Sequence, residues 1–143
     1  MTRPGRESLL MDTARLWAAR STCSRLQVGC VISRDGRILV QGYNGAPSGL
    51  PHCDGEHEPE ECRAVHAEQG AIAHAARNGV ALQGATLHVT NMPCLSCARS
   101  IINSGITVVV YDEPYRLRDG VDLLKAAGIA IDRIKAFDPE TEG

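Results

Sequence analysis

From residue 86 onward the chain alternates short apolar runs with helix-length segments, and this constrains the fold more than any other feature. TLHVT (86–90) is followed by a helical pattern over 94–104 that stops at Gly105. ITVVVY (106–111) precedes a second helix over 116–127, closed by Gly128, and IAIDRI (129–134) ends the series. The β-branched runs suit strands, and glycine just past a helix supplies the left-handed stop that other residues resist. Strands separated by helices must be joined by crossovers, which return each strand in the same direction. The pattern therefore predicts parallel pairing.

Upstream, Leu9, Leu10, Thr13, Leu16 and Trp17 recur at helical spacing and predict an amphipathic helix over about 7–20. VGCVIS and RILVQG flank Arg34-Asp35-Gly36, and Asp-Gly between two apolar runs signals a hairpin. A further helix is expected over 64–78, with Val65, Ile72, Ala75 and Ala76 on one side and Asn78-Gly79 as its stop. Residues 43–63 hold Gly45, Pro47, Gly49, Pro51, Gly55 and Pro59 and predict a long irregular loop, of the kind that is functional or tied down. The expected fold is a three-layer αβα domain with a mixed five-stranded sheet, the hairpin forming its antiparallel edge. At 143 residues one domain is expected, ordered over about 7–135, with 1–5 and 138–143 frayed.

Composition narrows the partners. A net charge of -2 argues against a sequence-blind nucleic-acid binder, which needs a basic surface, but a few arginines suffice for one phosphate. No apolar run reaches the ~20 residues of a membrane span, and no apolar segment follows the charges of MTRPGRES as in a secretory signal. A cytoplasmic location is the expectation. There the six cysteines read as metal ligands or core thiols before disulfides.

The sharpest local signal is His66-Ala67-Glu68 together with Pro93-Cys94-Leu95-Ser96-Cys97, each opening an expected helix. Cys-x-x-Cys on a first helical turn places two sulfurs on one side, where the helix N-terminus favours thiolates. One imidazole and two thiolates leave the fourth position of a tetrahedral zinc open, as in a catalytic site. Water there loses a proton near neutral pH. Glu68, two residues from His66, can reach that water without binding the metal. Taken singly, the Cys-x-x-Cys could be a redox pair or half of a structural zinc site, and the histidine a capping or surface residue. Their joint occurrence in this order favours the catalytic zinc, and it has the H-x-E and P-C-x-x-C form of zinc base deaminases.

CSRLQVGCVI, GYNGAPSGLPHC, CRAVHAEQGAIAHAARNGV and GATLHVTNMPCLSCARSIINSGI extend this further. Over about residues 7–135 the chain resembles the deoxycytidylate (dCMP) deaminase family, with its cytidine deaminase-like fold. The resemblance implies conversion of dCMP to dUMP and ammonia: hydroxide on a zinc held by His66, Cys94 and Cys97 attacks C4, and Glu68 carries protons to N3 and the leaving ammonia. The base carbonyl would meet a backbone N–H near Ala67.

For the rest of the nucleotide, Asn44 in Gly42-Tyr43-Asn44-Gly45 offers a donor and an acceptor, or serves as a turn asparagine; the resemblance assigns it to the pocket. Arg25, just before the first strand, matches a basic residue of the family and is the leading phosphate candidate. Ser48 and Tyr115 are further candidates, and Arg63, Arg116 and Arg118 could also serve. Family members bind a regulatory deoxynucleoside triphosphate near the Gly-Tyr-Asn-Gly segment. Here Ala46-Pro47-Ser48-Gly49 departs from the Gly-Met-Pro form of animal members, which leaves that control open.

Cys30 lies among apolar strand residues and reads as a core thiol. Cys23 and Cys53 match positions where some family members hold a second, structural zinc. His57 and Cys62 would complete it, with His52 able to replace His57; the alternative is free thiols and a solvated histidine. Self-association as a homo-oligomer, dimer or hexamer, is expected through the helices that bear the zinc ligands. Competing functions are deamination of free cytidine, deoxycytidine, a nucleobase or a related heterocycle, tRNA adenosine deamination, which the negative charge disfavours, and a non-catalytic zinc-binding accessory role. The last has no use for a base at Glu68, because a structural zinc takes four protein ligands.

Overall fold

A computed structural model describes residues 2–134. Its elements run α1 (Arg6–Ala18), β1 (Gly29–Arg34), β2 (Arg37–Tyr43), a 3₁₀ turn (Pro59–Glu61), α2 (Ala67–Arg77), β3 (Thr86–Asn91), α3 (Leu95–Ser104), β4 (Val108–Glu113), α4 (Asp119–Ala126) and β5 (Ala130–Arg133). The sheet order is β2-β1-β3-β4-β5. β1 is antiparallel to both neighbours, while β3, β4 and β5 are parallel. The expected mixed five-stranded sheet is thus formed, with the hairpin at one edge. The 138–143 tail lies outside the described residues.

Local sequence explains the joints. Asp35 and Gly36 both take positive φ, 54° and 76°, as the two central residues of a tight hairpin turn require. A bulge between Ile32 and Ser33 leaves Leu39 without a partner in the ladder. Gly105 closes α3 at φ 88°, as its position past the helix predicts.

Alternation along the strands splits the core between two faces. Cys30, Ile32, Leu87, Val89, Val109 and Tyr111 pack with α2, α3 and α4. Val31 and Val110 point the other way, against Leu10, Met11 and Ala14 of α1. Two polar side chains share the α1 face: His88 meets Glu7, and Asp112 meets Arg15.

The structure corrects three details. The buried stripe of α1 is Leu10, Met11 and Ala14, whereas Leu9 and Leu16 are exposed; the contact face is turned from the one the large apolar residues suggested. In α2 the inner positions are Ala67, Glu68, Ala71 and Ala75, with Ala76 outside. α4 begins at Asp119, because Pro114–Arg118 forms a connection across the sheet end.

Candidate functional site

The site lies at the C-terminal ends of β3 and β4, where ligands bind in open α/β sheets. β3 ends at Asn91, and Met92-Pro93 lead directly into α3. Cys94 is the N-cap of α3, and Cys97 sits in its first turn. His66 is the N-cap of α2, held there because Val65 pairs with Gly45 through two backbone hydrogen bonds of 2.8 and 3.2 Å. Two helix starts thereby converge. His66 Nδ1 lies 3.2 Å from Cys97 Sγ and 3.5 Å from Cys94 Sγ.

These three donor atoms lie within 4.8 Å of one another, the one such His, Cys, Asp or Glu group of three or more among the described residues. Zinc bonds of about 2.0–2.3 Å in a tetrahedron leave ligand atoms roughly 3.5–3.8 Å apart, so the group fits that ion with a fourth position left open. Hydrogen bonds with Cys97 and then His66 drive the Cys94 thiol down to about 3, and the hydrogen bond to Cys94 in turn raises the His66 imidazole. The Cys97 thiol is pushed up, first by its hydrogen bond to Cys94 and then by burial, so one thiolate is paired with the imidazole and a bound cation would displace the protons of His66 and Cys97.

Glu68 lies in the first turn of α2 and is 4% exposed. Burial, above all, pushes its carboxyl up to about 7, and the neighbouring Cys94 thiolate adds to the effect. Such a group can hold or release a proton near neutral pH, the property asked of a general acid–base.

A cavity of about 240 Å³ opens above these residues. Arg25, Asn44, Ala67 and Tyr115 all line it, as the sequence expects of a nucleotide pocket. Asn44 also ties the loop: its Oδ1 accepts from the Val28 N–H at 2.8 Å and its Nδ2 donates to the Leu26 carbonyl at 2.8 Å. One amide N–H and one lone pair remain for a ligand, so the turn and pocket readings hold together. Ser48 is exposed and does not line the cavity; its turn carries it outward. Arg63 lines a separate loop cavity, and Arg116 and Arg118 are exposed.

Sequence reading missed Asn91 and Met92 in the wall. Their place between a strand end and the Pro-Cys was the available signal. Among the described residues, the donor atoms of Cys23, Cys53, His57 and Cys62 do not all lie within 4.8 Å of one another. Cys53 Sγ and His57 Nε2 do pair at 3.1 Å, and His57 Nδ1 donates to the Glu58 carbonyl at 2.8 Å. Cys23 lines the first cavity, and Cys62 lines both that cavity and the loop cavity that holds Cys53 and His57. Partial burial acts to raise the Cys23 thiol, but the Leu26 and Arg25 N–H groups and the Arg25 guanidinium outweigh it and lower the thiol. His52 lines the loop cavity with Cys53 and His57. Cys30 is fully buried, its thiol 3.3 Å from the Ala67 carbonyl, as a core thiol should be.

Comparison with known proteins agrees with this geometry. The chain is 39% identical over 142 residues to the deoxycytidylate deaminase of Saccharomyces cerevisiae, covering 92% of this chain and 45% of that protein. It thus spans under half of the yeast protein's length. It is 37% identical to the ComE operon protein 2 of Bacillus subtilis, covering 94% of this chain and 74% of that one. The dCMP deaminase of the cyanophage S-TIM5, solved with dCMP and dUMP, superposes with a TM-score of 0.83 at 33% identity, covering 94% of this chain and 100% of that one. No helix among the described residues is long and apolar enough to cross a membrane. Residues 5–113, which run from α1 through both ligand-bearing helix starts, match the cytidine and deoxycytidylate deaminase zinc-binding region, and the chain belongs to that family.

Proposed function

We propose that the protein hydrolyses dCMP to dUMP and ammonia. The observation that carries this reading is the convergence of His66, Cys94 and Cys97 beside buried Glu68, at the floor of a cavity that also presents Arg25. The names of the yeast and cyanophage relatives support the substrate.

His66 Nδ1 and the sulfurs of Cys94 and Cys97 would hold one zinc. When bound, the ion supplies the Lewis acidity that makes water a nucleophile near neutral pH. Glu68 takes a proton from the attacking water and passes it to N3 of the cytosine. Once the water oxygen is bonded to C4, Glu68 takes the remaining hydroxyl proton and delivers it to the amine; the C4–N bond breaks, the C4 carbonyl forms and ammonia leaves. No side chain caps the start of α2, so the Ala67 N–H is available to the base carbonyl. Asn44 keeps a donor and an acceptor for the sugar. Arg25 pairs with the phosphate and Tyr115 supplies a second donor, since charge-assisted bonds are the strong ones in such a pocket.

The same reading carries a cytoplasmic homo-oligomer, dimer or hexamer. The partly exposed Leu95, Ile72 and Ile102 on α2 and α3 support self-association there, and light scattering tests it. Regulation by a deoxynucleoside triphosphate is tested by titrating dCTP and dTTP into the assay.

Purified zinc-loaded protein assayed on dCMP, CMP, deoxycytidine and cytosine decides the substrate. Turnover of dCMP well above the other three is expected. Equal turnover of deoxycytidine and dCMP would remove the phosphate role, and no turnover of any of them at full zinc would remove the deaminase reading.

A further inference from the structure

We propose that Gly42 and Gly120 are positioning residues that set the spacing between the imidazole and the thiolates of the metal corner. The inference rests on the zinc deaminase reading above.

Each ligand-bearing helix start is pressed by a glycine from another element. Gly120, in the first turn of α4, packs against the turn that delivers Cys94. A Cβ built there would stand 2.2 Å from the Pro93 carbonyl oxygen and 2.8 Å from both the carbonyl carbon and oxygen of Cys94. Gly42, near the end of β2, faces the first turn of α2. A Cβ there would stand 2.4 Å from the Ala67 carbonyl oxygen, 3.1 Å from the Ala71 Cβ and 3.2 Å from the Ala71 nitrogen. Ala67 lies between His66 and Glu68 in the chain, and its carbonyl also contacts the Cys30 thiol at 3.3 Å.

The obstacles are mainly backbone atoms, not side chains that could rotate aside. One added methyl group must therefore move the helix start, and with it Cys94 in one case and His66 with Glu68 in the other. Both glycines also sit where glycine is unfavourable, one inside a helix and one inside a strand, as expected where close approach is needed. A zinc site tolerates little change in ligand distance, so the effect should appear in the metal before it appears in the fold as a whole.

Two other glycines serve as controls. At Gly29 a Cβ would collide with α1 backbone, 2.0 Å from the Ala14 oxygen and 2.4 Å from the Ala18 nitrogen, on the face away from the ligands. At Gly70 the nearest atom would be Val65 Cγ1 at 3.9 Å, so an alanine fits.

The experiment loads the full chain with Co²⁺ in place of zinc and records its d–d and thiolate charge-transfer bands. Zinc affinity is then measured by chelator competition, and the thermal midpoint with and without zinc. Gly120→Ala and Gly42→Ala should shift the cobalt bands, weaken zinc by about 10–100-fold and shrink the zinc-dependent rise in midpoint. Gly29→Ala should lower the midpoint while the folded fraction keeps wild-type bands and affinity, and Gly70→Ala should keep bands and affinity with a midpoint equal to or above wild type. Wild-type bands and affinity in both Gly120→Ala and Gly42→Ala would overturn the proposal, as would failure of both to fold with zinc present. If wild-type protein itself shows no cobalt–thiolate band, the zinc reading fails first, and the two failures are thereby told apart.

Discussion

Two carboxyl groups are buried on opposite faces of the sheet, and they are treated differently. Asp112 on β4 is 1% exposed and is paired with the Arg15 guanidinium from α1. Glu68 on α2 is 4% exposed, and no cationic side chain forms a salt bridge with it among the described residues. A buried carboxylate with a fixed cation anchors the elements it joins. One without a counter-charge keeps its proton to higher pH, which is why Glu68 is pushed up to about 7. Burial with a partner serves the fold, and burial without one, at the floor of a cavity, serves proton transfer.

The largest expected effect follows from this contrast. Glu68→Gln keeps the shape and removes the proton carrier. Turnover should fall by at least 10²–10⁴-fold, the usual worth of general acid–base help, while zinc content stays at the wild-type level. The thermal midpoint should not fall, because an uncompensated buried carboxyl has been removed. Turnover within tenfold of wild type at full zinc would place the proton carrier elsewhere and break the comparison.

Arginines show the same contrast. Arg15 has its carboxylate, whereas Arg25 has no carboxylate partner among the described residues and lines the cavity. Arg25→Ala should lower kcat/KM for dCMP by roughly 10–100-fold, the worth of a charge-assisted pair, and change deoxycytidine little. Equal losses on the two substrates would show that Arg25 supports the turn with Cys23 and not the phosphate.

The sequence made the regular elements and the metal corner legible because both are written locally. Strand runs, glycine stops and the Asp35-Gly36 turn each act within a few residues. His66, Glu68, Cys94 and Cys97 sit at helix starts, where a spacing of two or three residues fixes which way side chains point. The arrangement of Cys23, Cys53, His57 and Cys62 was not legible in the same way, because those residues lie in irregular chain. There direction is set by long-range ties such as Asn44 to Leu26 and Val28, which no spacing rule reports. The Glu7–His88 and Arg15–Asp112 pairs were equally hidden. They join residues 81 and 97 positions apart, and the strands carrying them read simply as apolar.

Breaking the α1-face pair should cost stability and leave the chemistry alone. Arg15→Met strands Asp112 without its cation. A buried acceptor that loses its partner costs about 1–3 kcal/mol, and half-exposed Arg15 favours the lower part of that range because water can take its place. Denaturant unfolding should show that loss, with kcat on dCMP unchanged for folded protein. A fall in kcat without a fall in stability would mean that the α1 face carries function after all.

The smallest effect sharpens the comparison by pH. His88 is fully buried, and its Nε2 is 2.6 Å from Glu7 Oε2. With Nε2–H donating to Glu7, Nδ1 is a lone pair with no partner, and protonating it would bury an unpaired N–H. Burial therefore holds the His88 pKa below its ordinary 6.5, although Glu7 pulls it upward. Below that pH the unfolded chain takes up a proton that the folded chain still refuses. Stability contributed by His88 is thus complete above about pH 6.5 and declines as pH falls toward the folded value, by at most about 1.4 kcal/mol per unit. The difference in unfolding free energy between wild type and His88→Asn isolates this slope from the other titrating groups. Glu7→Gln removes the group that raises His88, so the folded value drops further and the decline extends to lower pH. An unfolding curve for wild type that runs parallel to His88→Asn from pH 7 downward would show that His88 protonates as easily when folded, and the contrast between partnered and unpartnered burial would then rest on the carboxylates alone.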